Sequence, residues 1–260
     1  MKKILIITLF AFIGTKVSAQ KEVSAKTIFE QIDKHQAVDY QNVTIVGDLD
    51  LTELSNKKRI NKIKNDFEEY KSYVEVPISF KNCVFKGDVI AYKNLENEKS
   101  RKLGNGNINW NIGDGTTYTT DFEKSVVFEN CTFTKKTEFK YSDFAEKASF
   151  GGTKFAQSAN FKYADFKQYV VFAKCDFDEY ANFKYTKFKQ DTDFFDARFS
   201  NYADFKYTDF NDRVTFKNSA FSNHADFKYA EFRDDANFDN TKFKGGTDFK
   251  YSNGKKYVNK

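Results

Sequence analysis

From Val126 to Tyr257 the chain divides into twelve consecutive blocks of eleven residues without a gap, from VVFENCTFTKK through ANFKYADFKQY to TDFKYSNGKKY. Twenty-three Phe, from Phe128 to Phe249, stand in this ladder at spacings that alternate strictly between five and six. The residue two before each of them is always Ala, Ser, Thr, Cys or Val. Residues two apart on an extended strand face the same side, so each Phe and its small partner point inward while the residue between them points out. A helical period of 3.6 residues cannot hold that register. Self-similarity at a fixed period is the mark of a solenoid, whose units bury their apolar faces only by stacking on one another.

Alternate blocks differ in kind, and this sets the length of one coil. Phe-Lys-Tyr begins at Phe139, Phe161, Phe183, Phe205, Phe227 and Phe249, always 22 residues apart, and the intervening blocks carry unrelated residues there. One coil is therefore 22 residues on four sides. Coils stacked at the spacing of hydrogen-bonded strands, about 4.8 Å, bring the Phe rings into continuous columns and leave a packed core with no room for a pore.

Each block is two short units, of which Ala164-Asp165-Phe166-Lys167-Gln168 is typical. This unit resembles that of the pentapeptide-repeat proteins: a small residue, any residue, an apolar Leu or Phe, and two more. The resemblance runs from about Val38 onward and implies an all-β fold, a right-handed quadrilateral parallel β-helix with one pentapeptide per side. The sixth residue after every second unit departs from the strict pattern and bears on the corners, not on the helix.

Upstream the pattern resumes with gaps, in ISFKNCVFKGD from Ile78 and VDYQNVTIVGD from Val38, so the solenoid is expected to occupy 38–257. Insertions interrupt it at about 55–73, Lys-rich and readable as a helix, and at about 92–119, which holds Trp110 among Gly104, Gly106, Gly113 and Gly115. Both leave from the same block type one coil apart, which puts them together as one lobe, and insertions in a repeat protein often form its binding face. Ser24 reads as an N-cap, with Ala25, Ile28, Phe29 and Ile32 at helical spacing, so residues 20–37 are expected to carry a short helix over the first coil. At the other end Gly254 replaces a Phe and Lys255, Lys256 and Lys260 follow, a stop signal before a 258–260 tail.

Met1-Lys2-Lys3, the apolar or small run Ile4 to Ile13 and Val17-Ser18-Ala19 have the form of a signal peptide cut after Ala19, and the run is far shorter than the roughly 20 residues of a membrane span. Residues 1–19 are thus read as a targeting segment, and the mature chain as periplasmic or extracellular with no membrane span. Removing Lys2, Lys3 and Lys16 from the 42 basic residues leaves 39 against 37 acidic ones, too even a balance to point to nucleic acid.

The composition also limits chemistry. One Pro, one Met, one Trp, two His and three Cys exclude collagen-like, Pro-rich and disulfide-dense scaffolds. Cys83, Cys131 and Cys175 all fall at the small inward position, where packing accounts for them. Cys131 and Cys175 are two coils apart, about 9.6 Å and beyond disulfide reach of roughly 7 Å. With the second insertion counted out, Cys83 and Cys131 occupy adjacent coils and are the one pair that could bridge, with poor geometry. His35 and His224 lie far apart in the register with no Cys pair or carboxylate cluster at ligand spacing, so no metal is expected. No nucleophile-base motif and no phosphate-binding Gly loop appears, and neither catalysis nor a cofactor is expected.

The feature that folding explains least is an outward pair of columns. Lys140, Lys162, Lys184, Lys206, Lys228 and Lys250 form one, and Tyr141, Tyr163, Tyr185, Tyr207, Tyr229 and Tyr251 the next. Lys charges one coil apart would repel by about 0.9 kcal/mol in bulk water before salt screening. Acidic neighbours such as Asp204, Asp226 and Asp248 give the bland account, a self-compensated surface. The functional account is an aromatic strip about 24 Å long that stacks on sugar rings or on a protein. Three classes of function follow: an exported structural or interaction rod binding a protein or an envelope glycan through the columns or the lobe around Trp110; a DNA-mimicking inhibitor of type II topoisomerases, implied for some relatives by the resemblance but needing a strongly acidic surface and a cytoplasmic location; and an enzyme built on the insertions. The first is favoured. Regular outer faces also leave a homodimer open.

Overall fold

The structure, a computed structural model, describes residues 20–60, 68–96 and 115–258. The chain winds as a right-handed parallel β-helix with four sides. The first side runs from Val38–Gln41 through Val126–Glu129 to Ala236–Asn237, and the second from Lys21–Ser24 and Val43–Val46 to Lys242–Phe243. The third runs from Leu49–Asp50 through Thr137–Glu138 to Thr247–Asp248, and the fourth from Glu68–Val74 through Gly115–Phe122 to Glu231–Phe232. In the regular part each residue pairs with the one 22 later, as in Asp143 with Asp165 and Ala159 with Ala181.

The inward residues build the core. Phe139, Phe161, Phe183 and Phe205 are fully buried, and their rings follow one another at 5.3, 5.1 and 5.0 Å with planes within 13°. Rings of neighbouring columns meet edge-on, as Phe166 and Phe172 do at 89° and 5.8 Å. Each ring therefore presents its faces up and down its own column and its edge to the next, the two arrangements that suit an aromatic quadrupole. The small partner leaves the space a ring needs, and where it is hydroxylic it also hydrogen-bonds: Thr186, Thr208 and Ser219 each donate to a Phe carbonyl of the preceding coil at 2.7 Å.

Two kinds of corner correspond to the two Phe spacings. Where five residues separate consecutive Phe, the chain makes a four-residue turn closed by an N–H to carbonyl bond such as Ala164 to Phe161, 2.9 Å, with its third residue left-handed. That is the type II pattern. Between the first and second sides this residue is Asn42, Asn82, Asn130, Gly152, Lys174, Asp196, Asn218 or Asn240. Between the third and fourth sides it is each of the six column tyrosines. The six-residue steps lie at the other two corners.

The amino end differs in part from expectation. Lys21–Ser24 already pairs with Val43–Val46, so the second side begins before Val38. A four-residue strand with only Val23 packed inward is too short and polar to be seen in the sequence. Helix α1, Ala25–Asp33, starts at Ser24, whose hydroxyl accepts from Lys26 N–H, and buries Ala25, Ile28 and Ile32. The insertion read as a helix holds a turn and two strands in its described residues: Lys58–Arg59 runs antiparallel to Glu68–Val74. Its tip, 61–67, lies outside the described residues. Tyr92–Glu96 pairs antiparallel with the start of Gly115–Phe122, which pairs parallel with Glu68–Val74 over seven residues. Both insertions are thus extensions of the fourth side, and they meet. The sequence hid this because their core positions carry Thr and Ser: Ser72, Thr117, Thr119 and Thr120 are all buried.

At the carboxyl end the Asn253 amide stands in for the missing strand, accepting from Phe232 N–H at 2.9 Å and donating to Phe232 carbonyl at 2.8 Å. Gly254 follows because a Cβ there would run into the Phe232 ring. A mid-column truncation tests the packing: Phe183→Ala is expected to lower unfolding free energy by about 3–5 kcal/mol in urea titrations, and a loss well under about 1 kcal/mol would mean the rings are not close-packed.

Candidate binding face

The tyrosine column sits where the third side turns into the fourth. Left-handed backbone costs an ordinary residue roughly 1–2 kcal/mol, which is why Gly and Asn dominate such positions. The opposite corner follows that rule in six of its eight coils, with Asn or Gly. The tyrosine corner ignores it, with φ between 56° and 62° at all six residues. Stacking returns part of the cost, about 0.5–1.5 kcal/mol per aromatic pair. Tyr141, Tyr163, Tyr185, Tyr207 and Tyr229 follow one another at 4.7, 4.7, 4.7 and 4.6 Å with planes within 11°, and Tyr251 continues at 4.8 Å.

This geometry changes what the strip can offer. Each ring face is covered by the next ring, so the column presents edges and hydroxyls, not the open faces expected for stacking on sugars. Tyr207 and Tyr229 are 38% and 40% exposed. Among the described residues none of the six hydroxyls bonds to the protein.

The lysine column divides in two. The residue two before each Lys is Glu138, Asn160, Asn182, Asp204, Asp226 and Asp248 in turn. From Asn160 onward its side-chain oxygen accepts the Lys backbone N–H, at 3.2 Å for Asn160 and Asn182 and 3.0 Å for Asp204 and Asp226. Asn and Asp make this bond alike, so it is indifferent to charge. In the later coils the charge is present and is used. Lys206 Nζ lies 3.3 Å from Asp204 and 3.5 Å from Asp226, and Lys228 Nζ 3.7 Å from Asp226 and 3.3 Å from Asp248. Tyr180 and Tyr202 donate their hydroxyls to Asp204 and Asp226 at 3.0 and 3.1 Å and close the network, with His224 stacked on Tyr202.

At Lys162 and Lys184 the acid is replaced by Asn160 and Asn182, and at Lys140 it is Glu138, turned to Asn160. Lys140, Lys162 and Lys184 make no salt bridge among the described residues and lie over their own tyrosine rings, 4.9, 5.0 and 5.1 Å from the centroids. Glu138 is held by the Asn160 amide at 2.7 Å, and burial pushes its carboxyl up. Burial, with Lys140 and Lys184 on either side, draws the Lys162 ammonium down.

The column leads into the lobe. Tyr92, which sequence reasoning missed, sits 5.8 Å from Tyr141 at 46°, with Lys140 Nζ 4.2 Å above its ring and donating to its hydroxyl at 2.9 Å. Between this end of the column and the two fourth-side extensions lies a groove of about 430 Å³, lined by Tyr92, Asn94, Thr117, Thr119, Lys140 and Tyr141 among others. Glu69 and Asp143 also border it, and Asp143 is engaged by Lys167 at 2.8 Å. Lys71, which also lines the groove, pairs with Asp121 at 2.8 Å, and Tyr70 stacks on Tyr118 with Lys57 and Lys93 over the Tyr118 ring. Trp110 lies outside the described residues. Tyr180 and Tyr202 were within reach of the sequence, since they stand 22 apart in the established register.

The remaining chemistry-bearing residues are inward. Cys83 and Cys131 sit in adjacent coils, beside the pairs Val84–Thr132 and Phe85–Phe133, and both are buried. All three thiols donate to backbone carbonyls, Cys175 to Phe150 at 2.9 Å, and the neighbouring Cys83 thiol, with burial, pushes Cys131 up. Among the described residues no group of His, Cys, Asp or Glu is arranged to hold a metal ion.

Comparison with known proteins agrees with this architecture. A family model described as pentapeptide repeats (9 copies) matches residues 119–165, 139–187, 172–219 and 205–253. The chain belongs to the pentapeptide-repeat family. No match is found among curated proteins or solved structures. The family match begins at the second insertion's last strand, so the groove and the amino-terminal lobe lie mostly outside it.

Two expectations follow for the column. Tyr185→Gly should be more stable than Tyr185→Ala by about 1 kcal/mol in thermal melts, because only Gly takes a left-handed backbone freely; the reverse order would mean the turn is not left-handed. Burial raises Tyr141, Tyr180, Tyr202 and Tyr207, with Asp204 adding to the rise at Tyr180 and Tyr202. A raised phenol stabilises the fold relatively at neutral pH and loses that advantage above its unfolded value near 10. Stability should therefore fall as pH climbs past about 10, and a phenol titration followed in the ultraviolet should lag that of the urea-unfolded chain.

Proposed function

We propose that this protein is an exported, non-enzymatic scaffold, a rigid β-helical rod that binds a protein or a cell-envelope glycan through the tyrosine column and the lobe it runs into. The observation that carries the reading is the set of six tyrosines held in left-handed backbone. The same turn is built from Asn or Gly at most coils of the opposite corner, so the fold does not need tyrosine there. A residue kept where the backbone disfavours it points to a role at the surface. The free hydroxyls, the half-exposed rings and the adjoining groove supply that surface. Export rests on the amino-terminal sequence, with its basic head, short apolar run and Val17-Ser18-Ala19.

The DNA-mimic reading has less support, because the column that dominates the third-to-fourth corner carries lysine and the whole chain is net positive at +5. An enzyme on the insertions would need a base aimed at a nucleophile, and in the described groove Asp143 is engaged by Lys167 and Lys140 by the Tyr92 hydroxyl, with no base-to-nucleophile hydrogen bond to the threonines that line it.

The test uses the protein recovered from expressing cells, a variant with all six column tyrosines changed to Asn, and Trp110→Ala. Amino-terminal sequencing is expected to begin at Gln20. Capture from envelope protein and glycan fractions should be lost or reduced at least tenfold in the tyrosine variant, whose circular dichroism should match the parent. Equal capture by parent and both variants would remove the column and the lobe as binding faces.

A further inference from the structure

The two halves of the lysine column have the same backbone but not the same charge balance. In coils two and three of the regular part, Asn160 and Asn182 do the hydrogen-bonding work that Asp204 and Asp226 do later, and Lys162 and Lys184 make no salt bridge among the described residues. Nothing in the turn requires this, since Asp makes the same bond to the Lys N–H at 3.0 Å. Lys140, Lys162 and Lys184 thus stand in three consecutive coils at a backbone spacing of about 4.8 Å, with no salt bridge among the described residues and with Lys140 and Lys184 both repelling Lys162. They are beside the free hydroxyls of Tyr141, Tyr163 and Tyr185, and they lead into the groove where Tyr92, Asn94, Thr117 and Thr119 add further hydrogen-bonding groups.

We propose that Lys140, Lys162 and Lys184, with the tyrosine hydroxyls beside them and the adjoining groove, form a binding site for an acidic glycan, one bearing carboxylate or sulfate groups on successive sugars. This rests on the scaffold reading and narrows its ligand. A row of cations at regular spacing matches a polymer that carries a regularly repeated anion, and a charge-assisted hydrogen bond to an anion is stronger than the ring contacts that Lys162 and Lys184 make now. The phenol hydroxyls both donate and accept, as sugar hydroxyls do. The covered ring faces weigh against single-stranded nucleic acid, whose usual platform is an open aromatic face on which bases stack. The later rungs, where Asp204, Asp226 and Asp248 already occupy the lysines, offer an acidic ligand little, so the site is confined to the half of the column nearest the lobe. Burial first, then the repulsion of Lys140 and Lys184, draws the Lys162 ammonium down, and an anion beside it would relieve the repulsive part.

Isothermal titration with hexagalacturonate, a heparin hexasaccharide, chitohexaose and a single-stranded oligodeoxynucleotide tests the site on the purified parent protein. It is repeated with Lys162→Gln/Lys184→Gln, with Lys228→Gln, and with the six-tyrosine Asn variant, after melts show each is folded. Expected are binding of an acidic hexasaccharide at least tenfold tighter than of chitohexaose, a further loss of tenfold or more in the double variant, and a change within twofold in Lys228→Gln. Preference between the galacturonate and heparin arms tells carboxylate from sulfate. Equal binding of acidic and neutral sugars, equal effects of Lys228→Gln and the double variant, or tighter binding of the oligodeoxynucleotide would overturn the proposal. If no sugar binds while the tyrosine variant still loses an envelope protein, the glycan site falls and the scaffold stands; if neither effect is seen, both fall.

Discussion

Everything in this molecule depends on ring stacking along the axis. A Phe inside the helix meets the other rings of its coil at steep angles and finds its stacked, face-to-face contacts only above and below, so each coil has to repeat the last one in register. Parallel pairing 22 residues apart and ring planes within a few degrees are the same constraint seen from the backbone and from the side chains. The small residue two before each Phe follows from it, because a second large side chain on that face would push the ring off its column. Where the constraint ends, the chain ends its sheets by other means: the Asn253 amide on one edge, and Gly254 beneath the last ring of the fourth side.

The same repetition governs the surface, with a different consequence. Outward residues are also brought into columns at one strand spacing, so any residue kept in the repeat meets copies of itself. Columns of Asp and Lys must then be interleaved or left in repulsion. The third side does both: Asp204, Asp226 and Asp248 interleave with Lys206 and Lys228, while Asn160 and Asn182 leave Lys162 and Lys184 bare. Tyrosine tolerates being next to itself, because stacked rings attract. Yet at this corner it does so on a backbone that Asn or Gly would take more easily, and the contrast with the opposite corner separates what the fold asks from what the chain carries.

The solenoid was readable from the sequence because its signal is periodic and made of large apolar residues; Phe128 to Phe249 carry the register by themselves. The lysine and tyrosine columns were readable for the same reason. What sequence could not give was backbone sign: nothing in Phe-Lys-Tyr announces that its tyrosine is left-handed, since the usual marker is Gly or Asn. It also could not show that stacking would cover the ring faces. Nor did it show that Glu68–Val74 and Gly115–Phe122 are strands, because their buried positions are Ser and Thr and mimic a polar loop. Tyr92 escaped with them, lying at the edge of an insertion where the 22-residue count breaks down.

The central claim is that the phenylalanine ladder holds the coil while the tyrosine column serves the surface. Thermal denaturation of the six-fold Tyr→Asn variant beside the parent addresses it most directly. If the claim holds, the variant unfolds cooperatively at a temperature equal to or above that of the parent, since the relief of left-handed strain offsets the lost stacking. A variant that fails to fold, or melts far below the parent, would show that the external column is part of what holds the helix together.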